Sequence, residues 1–244
     1  MVTIIIPTYN CAEYIIDTLE SVKSQTYKDY EVIIVDNAST DDTLKIVTDL
    51  TIDDNRFKVI KLDNNLGAAG GRNEGIKLAV NKYISFLDSD DIWLQNKLEK
   101  QVEFMESNNY DFTYTYYEKV DQTGKSLSKI RKSNKTADYN SLLKSNFIGC
   151  STVMYNQEKL GKVFMPLIAK RNDFATWLKI LKIIERGYCL EEVLVKYRIR
   201  ENSLSSNKLN LIKYNWKLFR DLEGFSIIKS TYYLSWNILN KILE

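Results

Sequence analysis

Histidine is absent from this 244-residue sequence. Its absence excludes a Ser-His-Asp or Cys-His nucleophile, a histidine general base and any metal site built on imidazole. If the protein is an enzyme, its proton chemistry must therefore depend on carboxylates, Lys, Tyr or Cys. A bound metal ion would be held mainly by oxygen ligands, which suit Mg²⁺ or Mn²⁺.

Cysteine, proline and glycine are scarce, at three, two and nine residues. The cysteines, Cys11, Cys150 and Cys189, are widely spaced and odd in number, so we expect neither a disulfide framework nor a cysteine-based metal site. With so little proline and glycine, the chain does not have the composition of a disordered or linker-rich protein. These features fit a reducing compartment, and we predict a cytoplasmic protein.

The sequence also lacks an excess of charge and a long apolar run. Its 34 basic and 32 acidic residues give a net charge of +2, which does not support nucleic-acid binding. No window approaches the ~20 apolar residues of a membrane span, and Pro7 interrupts the first apolar run before it reaches signal-peptide length. The 44% of hydrophobic residues is enough for a sizeable core in one large domain or two small ones.

The first half of the chain alternates strand and helix patterns. Four strands are predicted: Val2–Ile6, which is a continuous β-branched run, and then Tyr30–Val35, Phe57–Leu62 and Tyr83–Leu87. Helical stretches separate them, one of which follows a capping-box pattern at residues 39–42. Right-handed crossovers and a mostly parallel, Rossmann-like central sheet flanked by helices are therefore expected, which is an α/β fold. Because ligands bind beyond the carboxyl ends of such strands, Tyr9, Asp36 and Asp88 could share one crevice.

The second half is less regular. Strands are predicted over Tyr110–Val120 and Tyr188–Tyr197, and an amphipathic helix through Phe174 and Ile184 is predicted to end at Gly187. From Asn207 onward the pattern is helical. We predict a catalytic domain over residues 1–205, divided into 1–95 and 96–205, and a C-terminal helical extension over 206–244.

Three carboxylates, Asp88, Asp90 and Asp91, crowd the end of the fourth predicted strand. Like charges this close repel each other, and a divalent cation would relieve the repulsion. An Asp-x-Asp pair can place two side chains on one Mg²⁺ or Mn²⁺, which completes its shell with water and phosphate. The alternative is a solvated turn in which Asp91 caps the next helix.

Three further positions carry polar groups that suit ligand binding. Asp36 follows a buried strand and could accept hydrogen bonds from a ribose or a base, since Ser39 is predicted to cap the next helix. The small residues of Gly67–Gly71 could let the backbone approach a ligand beside Arg72, or form a simple connection. Asp173 stands at the start of a predicted helix, where an Asp is more often a cap than a functional group.

In their order and spacing, these segments resemble the family-2 glycosyltransferases, the GT-A enzymes of bacterial polysaccharide synthesis. The resemblance is carried by Val2–Asn10, Glu31–Asp41, Asn65–Gly67, Arg72–Ile76 and Asp88–Trp93. It is specific over roughly the first 95 residues, thinner from Asp173 to Ser205 and absent in the last forty or so. It implies a GT-A fold whose first half binds nucleotide and whose second half binds acceptor.

The resemblance also implies an activity and a set of site residues. The activity is metal-dependent transfer, with inversion, from a nucleoside-diphosphate sugar such as a UDP-sugar to a saccharide acceptor, lipid-linked acceptors included, in O-antigen or capsule assembly. The implied nucleotide-sugar-binding residues are Pro7, Thr8, Tyr9, Asp36, Arg72, Asp88, Ser89 and Arg200. The implied ligands of Mn²⁺ or Mg²⁺ are Asp88 and Asp90.

Two positions depart from the family pattern in the second half. Asp173 occupies the place of the general base that takes a proton from the acceptor hydroxyl, but Asn172 stands where a Glu is usual. Arg200 stands where many relatives carry His near metal and diphosphate. An arginine cannot ligate metal, although it can pair with diphosphate oxygens. The alternative for Arg200 is an ordinary surface arginine.

The C-terminal extension is basic and rich in aromatic residues. Residues 207–244 hold six basic and three acidic residues, a net +3. Such helices could lie in a membrane interface, which would make the protein peripheral at the inner face of the membrane. The alternative is packing against the catalytic domain or a second subunit.

Two other functions remain to be weighed against a transferase. A sugar-nucleotide pyrophosphorylase would carry a glycine-rich phosphate loop directly after the first strand, where this sequence has Pro7, Thr8, Tyr9 and Asn10. A non-catalytic sugar-nucleotide or glycan-binding module would not need the carboxylates of Asp88, Asp90 and Asp173.

Overall fold

A ten-stranded sheet runs through the computed structural model, which describes residues 1–200 and 208–243. Its strands are β1 (Val2–Thr8), β2 (Tyr30–Asp36), β3 (Phe57–Lys61), β4 (Tyr83–Phe86), β5 (Ile92–Trp93), β6 (Phe112–Val120), β7 (Ser126–Arg131), β8 (Thr136–Ala137), β9 (Met154–Asn156) and β10 (Gly187–Arg198). The spatial order is β3-β2-β1-β4-β9-β6-β10-β5, with β7 beside β6 and β8 beside β10. The predicted α/β fold with a central sheet is confirmed.

The two halves of the sheet differ in strand direction. The pairs β1–β2, β2–β3 and β1–β4 are all parallel, as predicted for the first half. Among the strands that the structure describes in the second half, only β6 and β10 pair in parallel, whereas β9, β7, β8 and β5 each join an antiparallel neighbour. The mostly parallel pattern therefore holds for the first four strands, and the second half extends them into a mixed sheet.

Helices cover both faces of the sheet. They are α1 (Ile15–Lys23), α2 (Thr43–Thr51), α3 (Gly67–Leu78), α4 (Lys97–Asn108), α5 (Tyr139–Lys144), α6 (Gln157–Leu160), α7 (Asn172–Ile183), α8 (Lys208–Lys217) and α9 (Ile227–Leu243). Alternate residues of β1 enter two cores: Ile4 and Ile6 pack with α1, α2 and α4, and Ile5 packs with α3, α5 and α7. This alternation follows from the two-residue period of a strand.

The segment Gly67–Gly71 is the beginning of helix α3 and not a loop. A Cβ atom on Gly71 would lie 3.3 Å from the Cβ of Pro7, and one on Gly75 would overlap the Cγ2 of Ile5. The small residues thus let the helix backbone lie directly on β1, and this close approach outweighs the poor helix propensity of glycine.

The capping box predicted at residues 39–42 does not form. Helix α2 begins at Thr43, and its N-cap residue, Asp42, makes no side-chain cap hydrogen bond. Asp41 instead accepts a hydrogen bond from the backbone N–H of Thr43 at 3.0 Å and another from that of Ala12 at 3.2 Å. The acidic side chain therefore ties the start of α2 to the loop that follows β1.

Gly187 does not end the helix α7 as predicted, because α7 stops at Ile183 and Gly187 is the first residue of β10. The ring of Phe112, on the neighbouring strand β6, occupies the space that a side chain at position 187 would need. The glycine is required by packing between two strands and not by the geometry of a helix end.

The C-terminal helices pack on the rest of the chain through an aromatic face. Phe219, in a π-helical turn over Leu218–Leu222, lies with Phe225 and Tyr233 in the core that contains α5 and α7. The buried carboxylate of Glu223 pairs with Lys182 at 2.6 Å and accepts a hydrogen bond from the Tyr139 hydroxyl. One face of the extension therefore belongs to the core.

Within residues 1–200 and 208–243, no helix combines the length and apolar character that crossing a membrane requires. The predicted boundary at residues 205 and 206 lies outside the described residues, and the division of the chain into halves stays a prediction.

Candidate active site

Three neighbouring parallel strands deliver polar residues to one edge of the sheet. Thr8 ends β1 and pairs in register with Asp36, which ends β2, and Asp88 follows β4 on the other side of β1. Because parallel strands all end at the same edge, residues distant in sequence meet there. Tyr9 lies at this edge with nearly half of its side chain exposed, available to a ligand.

The Asp36 carboxylate is fully buried and organises the turn after β2. It accepts a hydrogen bond from the backbone N–H of Ser39 at 3.1 Å, and the Thr8 hydroxyl lies 3.4 Å from its other oxygen. The Ser39 hydroxyl oxygen accepts from the backbone N–H of Asn10 at 3.1 Å, and Asn10 accepts from that of Thr40 at 2.8 Å. These bonds cross-link the two loops that the sequence predicts to hold a nucleotide. Ser39 therefore bridges the loops and does not cap α2.

Arg72 lies on α3, almost completely buried, and forms an ion pair with Asp88. Its Nη1 atom is 3.4 Å from Oδ1 of Asn172, the first residue of α7. Its Nε atom is buried and has no hydrogen-bond partner among the described residues. Burial opposes the charged guanidinium, but the adjacent Asp88 carboxylate outweighs it and raises the pKa of Arg72. A permanent positive charge therefore stands between the β4 end and the α7 start.

The three carboxylates after β4 have three different environments. Asp88 pairs with Arg72, while Asp90 pairs with Arg200 Nε at 2.6 Å. Asp91 is buried, where it accepts hydrogen bonds from the Ser151 hydroxyl at 2.6 Å and the Arg198 backbone N–H at 3.0 Å. Asp91 does not cap the next helix, because α4 begins at Lys97 with Asn96 as its N-cap.

Burial and mutual repulsion raise the pKa values of two of these acids. Desolvation raises the pKa of Asp90, and the neighbouring charge of Asp88 adds to this effect. The pKa of Asp91 is raised well above its ordinary value by burial and then by the charges of Asp90 and Asp88. Three carboxylates therefore crowd this turn, and a cation bound there would relieve their mutual repulsion.

Arg198 is a residue that the sequence analysis did not single out. It is buried, its Nε atom donates to the carbonyl oxygen of Asp90 at 2.8 Å, and its Nη2 atom pairs with Asp17 of α1 at 2.8 Å. Together with its backbone bond to Asp91, these contacts fix the acidic turn to β10. The alternation of Arg198 and Arg200 along an extended chain was the available signal, since residues two apart share a face.

Asp173 is the second residue of α7 and is not a helix cap. The N-cap position is Arg171, which has a left-handed backbone at φ 68° and makes no side-chain cap hydrogen bond. The Asp173 charge contributes to the raised pKa values of Arg72 and of the Cys150 thiol, whose pKa rises mainly because of burial. The carboxylate therefore lies within electrostatic reach of the arginine that also holds Asp88.

The remaining predicted site residues lie around this centre. Pro7 packs against the glycine face of α3, and the Ser89 side chain lies within hydrogen-bond reach of the Cys11 thiol. Arg200 forms an ion pair with Asp90. Its guanidinium group also lies over the Tyr14 ring, with Cζ 5.5 Å from the ring centroid. In the described part of the chain, no three Cys, Asp or Glu side chains converge as a metal-binding group.

The fold is that of the GT-A glycosyltransferases. Staphylococcus aureus TarS (residues 1–349), solved in complex with UDP-GlcNAc, matches with a TM-score of 0.75 and 21% identity over 96% of this chain and 70% of TarS. The mannosyltransferase PcManGT from Pyrobaculum calidifontis, in complex with GDP-Man and Mn²⁺, matches with a TM-score of 0.67 and 19% identity over 96% of this chain and 69% of that structure.

This chain belongs to glycosyltransferase family 2, whose model, "Glycosyl transferase family 2", matches residues 3–164. It is 41% identical over 232 residues to the glycosyltransferase TuaG of Bacillus subtilis, named for teichuronic acid biosynthesis, with 95% of this chain and 92% of TuaG covered. It is 36% identical over 244 residues to the Escherichia coli UDP-Glc:α-D-GlcNAc-diphosphoundecaprenol β-1,3-glucosyltransferase WfgD, with 98% and 93% covered. The predicted family is confirmed, which decides against a pyrophosphorylase.

Proposed function

We propose that this protein transfers a sugar, with inversion, from a UDP-sugar to a saccharide acceptor in the synthesis of a bacterial surface polysaccharide. One observation carries the proposal: Arg72 contacts both Asp88 and the first turn of α7, which contains Asp173. The hydrogen bond from Arg72 to Asn172 joins residues 100 positions apart. It brings the predicted donor residues and the predicted base to one place at the sheet edge.

The donor nucleotide would bind at the ends of β1 and β2. Tyr9 offers an exposed ring for stacking on the base, and the buried Asp36 offers a carboxylate for hydrogen bonds from the base or ribose. Arg72 and Arg200 supply positive charge on either side of the acidic turn. The two arginines would pair with diphosphate oxygens as negative charge develops on the leaving UDP.

The acceptor would be activated by Asp173. Its carboxylate takes the proton of the acceptor hydroxyl while that oxygen forms a bond to the anomeric carbon and the bond to the UDP oxygen breaks. Attack on the face opposite the leaving group inverts the configuration. A carboxylate is a reasonable base here, because the sequence contains no histidine.

The residues present fit a divalent metal, although they do not enclose one. Burial and then the charge of Asp88 raise the pKa of Asp90, because both disfavour its ionised form, and a bound cation would offset both effects. Asp88 and Asp90 would supply carboxylate oxygens, and Mg²⁺ or Mn²⁺ commonly binds one or two carboxylates together with substrate phosphates. When bound, the metal would act as a Lewis acid on the diphosphate. The ion pair between Asp90 and Arg200 would have to loosen.

The acceptor is proposed to be lipid-linked, which would place the enzyme at the inner membrane surface. The name of the relative WfgD supports this, since its acceptor is a diphosphoundecaprenol-linked sugar. The relationship to TuaG supports a role in assembling an extracellular polymer.

Asp173→Asn tests the proposal. Asparagine keeps the shape of the side chain but cannot take the acceptor proton, so kcat for sugar transfer should fall by about 10²–10⁴. The melting temperature should change little, because the N-cap position of α7 is Arg171 and not Asp173. UDP affinity by isothermal titration should also persist, since the nucleotide contacts lie on β1 and β2.

Glu158→Gln is the matched control, because Glu158 is an exposed acid in the first turn of α6. This variant should transfer sugar at the parental rate. A parental kcat in Asp173→Asn would remove the base assignment and, with it, the argument for inversion at the anomeric carbon.

A further inference from the structure

Helix α9 buries Tyr233 in the core but leaves a second apolar face exposed. Ser230 and Asn237 face the protein, and the Asn237 amide donates to the Leu143 carbonyl oxygen at 2.7 Å. Ile228 is 84% exposed, and Tyr232, Trp236 and Leu239 are between about two fifths and half exposed. At 100° per residue these four side chains fall within an arc of about 80°, so they form a continuous apolar stripe. A surface helix normally turns such a face inward.

A basic pocket of about 560 Å³ lies beside this stripe. Arg131, Lys132 and Lys144 line it together with Trp236 and Asn240 of α9. The acid in its lining, Asp138, caps α5 by accepting the Ser141 backbone N–H at 2.8 Å. Lys132 and Lys144 place positive charge beside one engaged carboxylate, so the pocket suits an anionic group.

Trp236 connects the stripe and the pocket. Its side chain is part of the exposed stripe and also lines the pocket. Its ring centroid lies 5.5 Å from Nζ of Lys144. A tryptophan between an apolar surface and a cation is typical of a membrane interface, where the ring lies at headgroup depth. Helix α9 itself contains two lysines and no acidic residue, so it would not be repelled by an anionic surface.

We propose that the apolar stripe and the basic pocket together form a docking surface for a bilayer containing anionic phospholipid. The stripe enters the acyl boundary while a lipid phosphate occupies the pocket. Charge complementarity and the continuity of the two features through Trp236 distinguish this partner from an apolar protein surface. The docking surface would hold the enzyme at the bilayer that contains a lipid-linked acceptor, so it deepens the proposed function. Vesicle binding does not itself require transferase activity, and only the biological role of the surface rests on the proposed function.

The test is sedimentation of the full-length protein with vesicles of phosphatidylglycerol and phosphatidylcholine in equal parts, or of phosphatidylcholine alone. Strong binding is expected only to the anionic vesicles. Ile228→Asp should lower the partition coefficient about tenfold or more. Lys132→Glu should lower it about 25-fold, at about fivefold for each of the two charge units changed.

Two matched variants control for exposure and charge. Ile52→Asp alters an apolar side chain that is 74% exposed at the end of α2, and Lys28→Glu reverses an exposed lysine next to β2. Both should bind anionic vesicles as the parent does. UDP titration on the same preparations should give the parental affinity for all variants, which separates this test from that of the donor site.

Three results would overturn the proposal. The parent protein could fail to bind anionic vesicles, or the control variants could lose binding as strongly as Ile228→Asp and Lys132→Glu. Light scattering could also show a dimer that Ile228→Asp dissociates while vesicle binding is unchanged, which would assign the stripe to a second copy of the chain. Unchanged transfer in Asp173→Asn, or an absence of transfer in the parent, would contradict the proposed function alone.

Discussion

Lys97 is a buried lysine without an acidic partner in the described part of the chain. It lies on α4 with no exposed surface, its Nζ atom donates to the Ser85 hydroxyl oxygen at 2.7 Å, and this atom lies 3.7 Å from the Trp93 ring centroid. Burial lowers the pKa of Lys97 well below its ordinary value of 10.5. The charged form therefore destabilises the folded protein, and we predict that Lys97→Met stabilises it.

The destabilisation caused by Lys97 depends on pH. The unfolded chain keeps the Lys97 proton up to pH 10.5, whereas the folded protein releases it at a lower pH. Between these two pKa values the unfolded state binds more protons, so the free energy of unfolding rises with pH by up to about 1.4 kcal/mol per pH unit. Below the folded-state pKa the full penalty is present, and near pH 10.5 it vanishes.

Methionine preserves the length of the side chain and its packing on Trp93 without a charge. At pH 7 the free energy of unfolding of Lys97→Met should exceed that of the parent by about 1–3 kcal/mol. The difference should shrink as the pH rises toward 10.5. Urea denaturation of both proteins at pH 6, 7.5 and 9 measures it, and ionisations elsewhere in the protein cancel in the comparison.

Lys100→Met is the control on the same helix. Lys100 is 38% exposed and pairs with Glu192, so its loss should change stability by less than about 1 kcal/mol. A Lys97→Met variant that is less stable than the parent, or whose advantage is the same at every pH, would refute the reasoning.

Three further outcomes are expected. EDTA should abolish sugar transfer and Mn²⁺ or Mg²⁺ should restore it, if the acidic turn holds a cation as proposed; full activity in EDTA would mean that Arg72 and Arg200 carry the diphosphate charge alone. Asp36→Asn should weaken UDP binding about 10- to 100-fold in a titration, since a charge-assisted hydrogen bond is lost; an unchanged affinity would leave Asp36 with a purely structural role. Gly75→Ala should lower the free energy of unfolding by about 1–3 kcal/mol because its Cβ would overlap Ile5; an increase, as helix propensity alone predicts, would contradict the packing argument.

The first half of the fold could be predicted because its signals are local. The buried strands β1, β2 and β4 are continuous apolar runs, and an acid follows or ends two of them at Asp36 and Asp88. Parallel topology then places these acids at one edge without further information. The placement of Asp173 near them could not be derived from periodicity, and it came only from the resemblance to a family.

The environment of the acidic turn could not be predicted because distant pairings create it. Strand β5 pairs with β10, and only this pairing brings Arg198 against Asp90 and Asp91. Locally, an Asp before an apolar residue indicates a helix cap, which is why Asp91 was open to that interpretation. The start of α3 was misread for a related reason, since glycine disfavours helices unless close packing requires it.

On the ribosome, Asp90 leaves the exit tunnel 108 residues before Arg198, the side chain that will fix its backbone. At the usual rate of synthesis this interval lasts about 5–20 s. During that time the three neighbouring carboxylates lack the strand that holds their turn, so the nascent chain has no ordered donor site. A polypeptide cut between residues 95 and 96 would be in the same condition permanently. The two pieces would recover the site only by reassociating through the β5–β10 pair and the adjoining strands.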